Sequence, residues 1–120
     1  MPFQAILKNL VSSVEGAEGA IFLDVDGEAV QWYAKGDAER LKLRAAYTAV
    51  IVQSCRAVSK STDLGQMLHL MLEYESARLL VQEVESGYFV VLELSTTANL
   101  GQALYRMQPA IARLRRAVAA

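Results

Sequence analysis

The longest apolar pattern in the chain runs from about Asp37 to Lys60 and follows the repeat of an α-helix. Successive residues of a helix lie about 100° apart around its axis, and the apolar side chains of this segment fall on two sides. A helix at the surface of a monomer normally shows one apolar stripe. A broad arc holds Leu43, Ala46, Tyr47, Val50, Ile51, Ala57 and Val58, and a narrower stripe holds Leu41, Ala45, Val52 and Cys55. We expect one side to face the chain's own sheet and the narrower stripe to need a partner.

Two further elements are predicted before this helix. Apolar residues at steps of three and four predict a first helix from Pro2 to about Val14, with Gly16 as its stop. Residues 20–25 and 29–34 are short, mostly apolar runs, and Asp26-Gly27 lies between them. Because both residues of an Asp-Gly pair tolerate positive φ, this pattern predicts a β-hairpin.

The second half of the chain predicts three strands and a helix. Residues 65–74 alternate with period two, and residues 77–85 and 88–94 are typical of two more strands. Thr96 or Thr97 is the expected cap of the last helix, and Pro109 is expected to kink it. The order αββαβββα with hairpin connections predicts an α+β fold with one five-stranded, mostly antiparallel sheet and three helices. We expect one domain over residues 1–120.

Composition narrows the classes of function. Hydrophobic residues make up 53% of the chain and charged residues 21%, so the excess apolar surface needs a dense core or a partner. The net charge of −1 disfavours nucleic-acid binding. The single cysteine, Cys55, fits a reducing compartment. No apolar run approaches the roughly 20 residues that span a bilayer, and no signal peptide is visible. We therefore expect a cytoplasmic protein without membrane insertion.

Three stretches carry a resemblance to a known family. They are residues 14–20 before the first strand, Asp24-Val25-Asp26-Gly27 at the hairpin, and the long second helix with the strand of residues 65–73. Together they resemble the Roadblock / dynein light-chain family over nearly the whole chain, with the bacterial gliding-motility regulators closest in style. The resemblance implies a profilin-like sheet, and a homodimer formed through the strand after the long helix, with both copies of that helix side by side. It also implies a small Ras-like GTPase as partner, and neither a cofactor nor catalytic residues.

The predicted function is a non-enzymatic homodimer that regulates or scaffolds a small Ras-like GTPase by surface recognition. The alternatives are a structural light chain or assembly adaptor that leaves nucleotide turnover unchanged, and a small-ligand sensor. A strand that is apolar on both faces is hazardous as a free edge, so residues 65–74 are expected to pair with a second copy. The predicted dimer or partner interface comprises Leu41, Ala45, Thr48, Val52, Cys55, Met67, His69 and Met71.

Other motifs are weighed against structural roles. The sequence Asp24-Val25-Asp26-Gly27 looks like the first motif of haloacid-dehalogenase-type phosphatases, but Glu28 stands where those enzymes have Thr. A hairpin turn explains the same residues. His69 is the only histidine and lacks the partners of a metal or catalytic site, so we expect it to pack or lie at an interface. Packing is also the expected role of Cys55, with an interchain disulfide on oxidation as the alternative.

Four arginines close to the end of the last helix form a further cluster: Arg106, Arg113, Arg115 and Arg116. Cations are favoured at a helix C-terminus, which explains the cluster without a partner. The alternative is a docking patch for an acidic partner or a phospholipid. Arg44 and Arg56 of the second helix are geometric candidates for an arginine supplied to a GTPase in trans.

Overall fold

The computed structural model describes residues 2–119. The chain begins with helix α1 and the hairpin of β1 and β2, continues through the long helix α2 into three strands, and ends with helix α3. The bounds are α1 Pro2–Ser13, β1 Ala17–Leu23, β2 Ala29–Ala34, α2 Ala38–Thr62, β3 Leu70–Glu73, β4 Arg78–Glu83, β5 Phe89–Leu94 and α3 Leu100–Ala119. The predicted order αββαβββα and the α+β class are confirmed.

All five strands form one sheet in the order β2-β1-β5-β4-β3, and every neighbouring pair is antiparallel. The central strand β5 is buried along its whole length, from Phe89 to Leu94. Strands β2 and β3 lie at the two edges. In β3 only four residues pair with β4, from Leu70 opposite Val81 to Glu73 opposite Arg78. Within the described residues the outer side of β3 therefore presents unpaired backbone groups.

Helices cover both faces of the sheet. Helices α1 and α3 pack on one face, where Leu7, Met107 and Leu114 are fully buried with Phe22 and Leu92 of the sheet. Helix α2 packs alone on the other face. Its sheet-facing side chains join Ile21, Leu23, Leu79, Val81, Phe89 and Val91 in a second core. The two helix layers thus lie on opposite sides of one sheet.

The stripe of α2 that packs on the sheet is the narrower of the two. Leu41, Ala45 and Val52 have at most 1% of their surface exposed, because they lie in the core beneath α2. The expectation that this stripe is left over for a partner is therefore wrong. The broad arc is the side without cover, since its large side chains are exposed. Ala45 and Ala49 explain the choice, because small side chains let a helix approach a sheet closely.

The β1–β2 turn is held by one carboxylate. An oxygen of Asp24 accepts hydrogen bonds from the backbone N–H groups of Asp26 and Glu28, each at 2.9 Å. Gly27 follows with φ of 86°, a conformation that favours glycine. A side chain at Gly27 would also meet Ala49 of α2, with a Cβ–Cβ distance of 2.7 Å. The predicted hairpin is confirmed, and its turn lies against α2.

Two local predictions are wrong. The strand predicted over residues 65–74 forms only from Leu70 to Glu73. Asp63 and Gly65 adopt positive φ and turn the chain after α2, so the preceding residues do not reach the ladder. The last helix begins at Leu100, and Asn99 caps it by accepting from the N–H of Gln102 at 2.9 Å, in place of Thr96 or Thr97. Pro109 lies inside the continuous helix α3, and the kink there stays a prediction.

Candidate protein-binding surface

Helix α2 is defined sharply at both ends. The carboxylate of Asp37 accepts from the N–H groups of Glu39 and Arg40, at 2.9 and 3.2 Å, and caps the N-terminus. Asp63 ends the helix in the left-handed conformation, and its N–H donates to the carbonyl of Ser59. The 25 residues between these caps form a helix about 37 Å long. This rod presents a continuous side to its surroundings.

The side of α2 that points away from the sheet is apolar and exposed. We define the α2 outer face as Leu43, Ala46, Tyr47, Val50, Ser54, Ala57 and Val58. Tyr47 is 70% exposed and Val50 is 64% exposed. No charged residue occurs between positions 45 and 55. An exposed helix face of this kind is typical of a protein–protein contact.

A groove joins the α2 outer face to the β3 edge of the sheet. Leu43, Tyr47 and Ile51 form one wall, and Tyr74 and Ala77 of the β3–β4 connection form the other. Its volume is about 320 Å³. The lining is mostly apolar, with Arg44 at one end. The groove makes the α2 outer face and the edge of the sheet one contiguous surface.

The segment that leads into β3 adds further exposed apolar side chains. Leu64 and Leu68 precede the strand and are 70% and 78% exposed. Tyr74 follows the strand and is also exposed. Of the ten large hydrophobic side chains that are exposed in residues 2–119, seven lie on α2 or in residues 64–74. The uncovered apolar surface is therefore concentrated on one part of the molecule.

The predicted interface residues divide into two groups. Four of them are buried within the chain's own core, where a partner cannot reach them: Leu41, Ala45, Thr48 and Val52. Thr48 moreover donates its hydroxyl to the carbonyl of Arg44 at 2.7 Å. The exposed side of the same helix is the α2 outer face. The candidate binding surface therefore lies about half a turn around α2 from these four predicted residues.

The other four predicted residues remain outside the centre of the core. His69 is exposed and Cys55 is half-buried. Met67 packs against the core under α2, whereas Met71 packs against the core under α1 and α3. Period-two alternation over the predicted strand of residues 65–74 places Met67, His69 and Met71 on one face of that strand. The alternation fails because residues 64–69 lie outside the strand.

Both arginines considered for action in trans are held within the chain. Arg44 forms an ion pair with Glu93 of the central strand, whose side chain is buried. Arg56 donates to Glu83 at 2.8 Å and to the carbonyls of Val25 and Gly87. The guanidinium of Arg56 also lies 5.3 Å from the ring centre of Phe89. These contacts fasten α2 to the sheet and to two turns, and sequence reasoning missed them.

The groups with potential chemistry are dispersed. Within residues 2–119, no three His, Cys, Asp or Glu side chains come together in an arrangement that could hold a metal ion. The carboxylate of Asp24 is engaged by two backbone N–H groups of its own turn. No helix of the described chain is long and apolar enough to cross a membrane. The arrangement of the exposed side chains favours binding by shape and apolar contact.

Comparison with known protein families identifies the family to which this architecture belongs. The model of the Roadblock/LC7 domain matches residues 4–93. The chain belongs to the Roadblock/LC7 domain family. The match spans both sheet edges and all of α2, so the exposed surface lies within the Roadblock/LC7 region. No curated protein matches the sequence.

Solved structures show the same fold. A Roadblock/LC7 domain from Streptomyces avermitilis aligns with a TM-score of 0.89 at 19% identity, over 98% of either chain. MglB of Myxococcus xanthus aligns at 0.88 and 17% identity, over 99% of this chain and 96% of its own. The gliding protein MglB from Thermus thermophilus aligns at 0.81 and 21% identity, over 93% and 84%. At identities this low, the alignments show that these proteins share the fold of this Roadblock/LC7 domain and nothing beyond the fold.

Proposed function

We propose that this Roadblock/LC7 domain is a non-enzymatic homodimer that regulates or scaffolds a small Ras-like GTPase by surface recognition. The observation that carries the proposal is the α2 outer face beside the free edge of β3. Both parts of this surface lack a cover within the described chain. The family resemblance supplies the class of partner. A solved structure of MglB with a tetrameric arrangement supports assembly as a property of such domains.

The dimer accounts for the exposed surface physically. Antiparallel pairing of β3 with the β3 of a second copy satisfies the backbone groups of two edges at once. The same two-fold axis brings the two α2 helices together, since both lie on the same face of the joined sheet. Each large apolar side chain that the contact buries contributes about 1.5–3 kcal/mol. Leu43, Tyr47 and Val50 are large exposed side chains that this contact would bury.

The oligomeric state is tested by light scattering after size exclusion. The wild-type chain is expected at twice 13.2 kDa at micromolar concentration. Tyr47→Asp places a charge in the contact and is expected to give a folded monomer. Val30→Asp is the matched control, because Val30 is exposed on β2 at the opposite sheet edge. A wild-type monomer contradicts the dimer, and equal dissociation of both variants contradicts the contact through α2.

The regulatory part is tested by adding the purified protein to a candidate small Ras-like GTPase. Its phosphate release and nucleotide exchange are measured with and without the dimer. We expect the dimer to change one of these rates by shifting the populations of the switch region. Tyr47→Asp is expected to abolish the effect and Val30→Asp to retain it. If the GTPase binds the wild-type dimer and neither rate changes, regulation is excluded.

An adaptor role is the second candidate, and one observation favours it. Arg44 and Arg56, the two arginines considered for action in trans, are both used within the chain. Neither is therefore free to reach a bound nucleotide while the fold is intact. Co-purification of a partner with unchanged nucleotide turnover distinguishes the adaptor from the regulator.

A further inference from the structure

The cationic and acidic residues of this chain are distributed unevenly over its elements. Helices α1 and α3 contain five cationic residues and no acidic one. The rest of the sequence holds the remaining seven cationic residues and all thirteen acidic ones. The net charge of −1 therefore conceals a charge of +5 on two helices. The five residues are Lys8, Arg106, Arg113, Arg115 and Arg116.

A groove between α1 and α3 is lined by two of these five cations. Arg106 and Arg113 line one side, and Asn9 and Ser13 line the other. The groove has a volume of about 250 Å³ and includes the apolar side chains of Ile6, Leu10 and Ala110. Those three are buried, whereas the polar residues are exposed. The groove thus combines an apolar floor with polar walls.

The arginines of the groove are unengaged. In the part of the chain that the structure describes, neither Arg106 nor Arg113 has a carboxylate within 4.0 Å or donates a hydrogen bond, whereas Arg115 of the same helix lies 4.0 Å from Glu85 and donates to the carbonyl of Val84. By contrast, Arg44, Arg56 and Arg78 each pair with a carboxylate. Arg106 contacts only the ring of Tyr105, at 5.9 Å from its centre. Their hydrogen-bond donors are free for a ligand.

The helix dipole explains only part of the pattern. It favours cations in the last turn of α3, where Arg116 lies. Arg106 lies in the second turn, where the dipole gives no such preference. The first turns of α1 and α3 also lack the acidic residues that the dipole would favour there. The dipole therefore leaves the positions of Arg106 and Arg113 unexplained.

We propose that the groove between α1 and α3 is a docking site for an acidic peptide segment of a partner protein. Carboxylates of the segment pair with Arg106 and Arg113, and an apolar side chain enters between them. The two arginines are seven residues apart, so their Cα atoms are about 10.5 Å apart along the helix. A guanidinium binds a carboxylate through two parallel hydrogen bonds, which suits recognition at fixed spacing.

A protein partner fits better than a membrane or a nucleic acid. The groove holds two arginines, whereas binding to anionic lipids is typical of clusters of about four to eight Lys or Arg. The floor of the groove offers apolar contact, which a peptide can use and a phosphate backbone cannot. The groove lies on the opposite sheet face from the α2 outer face. The proposal therefore depends neither on the dimer nor on the GTPase.

Fluorescence anisotropy of a labelled peptide that alternates Glu and Leu tests the site. We expect saturable binding, and at least about ten-fold weaker binding of a matched peptide with Gln for Glu. The double variant Arg106→Gln/Arg113→Gln is expected to lose about ten-fold in affinity or more. Its folding is checked by circular dichroism, and both positions are exposed. Absence of binding by the Glu peptide overturns the proposal.

The control variant removes the same charge from the other sheet face. Arg40→Gln/Lys60→Gln changes two exposed residues of α2 and is expected to leave peptide affinity within about two-fold. Equal losses in both double variants indicate a non-specific charge effect and overturn the site.

Binding to vesicles of phosphatidylcholine and phosphatidylserine is measured as a second experiment. Binding to vesicles that depends on Arg106 and Arg113, with no peptide binding, assigns the face to a membrane surface and overturns the peptide proposal.

Discussion

The Nε atom of Arg56 on α2 lies 2.8 Å from a carboxylate oxygen of Glu83, the last residue of β4. Both side chains are largely buried, and the Arg56 guanidinium also reaches the carbonyls of Val25 and Gly87. One side chain therefore ties the C-terminal half of α2 to a strand and to two turns. The position of α2 on the sheet depends on this contact as well as on apolar packing.

Arg56→Met is expected to lower the free energy of unfolding by about 2–4 kcal/mol, because it leaves the Glu83 carboxylate without its main partner. Urea denaturation measures the change. Lys60→Met on the same helix is the control, since Lys60 is exposed, and it should stay within about 0.5 kcal/mol of the wild type. A double-mutant cycle with Glu83→Gln isolates the pair. An Arg56→Met variant as stable as the wild type shows that the ion pair is absent in solution.

Val50 and Val52 test which side of α2 faces the sheet. Val52 is fully buried and Val50 is exposed, although they are two residues apart. Val52→Asp places an unpaired charge in the core and is expected to cost about 4 kcal/mol or more, a large part of the roughly 5–15 kcal/mol that stabilises a domain. Val50→Asp is expected to remain folded. Circular dichroism and thermal melting compare the two; a folded Val52→Asp with an unfolded Val50→Asp reverses the assignment.

Asp24 is predicted to act in the turn and not in catalysis. Asp24→Ala removes the acceptor of two backbone N–H groups and is expected to cost about 1 kcal/mol. The matched change Asp26→Ala in the same turn is expected to have a smaller effect, since Asp26 is exposed. Chemical denaturation gives both values. Binding to the GTPase should survive in Asp24→Ala, and its complete loss with the fold intact would give Asp24 a role beyond the turn.

Gly27 and Gly36 provide a second matched pair. Gly27→Ala is expected to cost about 1–2 kcal/mol or more, because φ is 86° and the added Cβ would lie 2.7 Å from the Cβ of Ala49. Gly36→Ala meets nothing within 4 Å and has no positive φ, so it is expected to be neutral. Thermal unfolding distinguishes the pair. Equal melting temperatures would mean that the β1–β2 turn does not rest on α2 in solution.

Much of the fold was predictable from periodicity, and the placement of α2 was not. The pattern of α2 showed two apolar sides, but it carries no information about which one a sheet will accept. The broad arc contains Tyr47 and Val50, yet the sheet accepts the side with Ala45 and Ala49, where close approach is possible. Hydrophobic area alone therefore favoured the wrong side.

The polar contacts of the site were beyond sequence reasoning for a different reason. Arg44 and Glu93 are 49 positions apart, and Arg56 and Glu83 are 27 apart, so their pairing depends on how α2 lies across the sheet. The short β3 strand had a local signal that went unused. Asp63 and Gly65 can both adopt positive φ, and together they mark the turn that keeps residues 64–69 out of the ladder.

The sheet separates α2 from α1 and α3, so the two proposed binding surfaces lie on opposite faces of the molecule. In the proposed homodimer, edge-to-edge pairing places both α2 helices on one face of the joined sheet and both copies of α1 and α3 on the other. A partner bound by α1 and α3 would then not compete for space with a partner bound by α2.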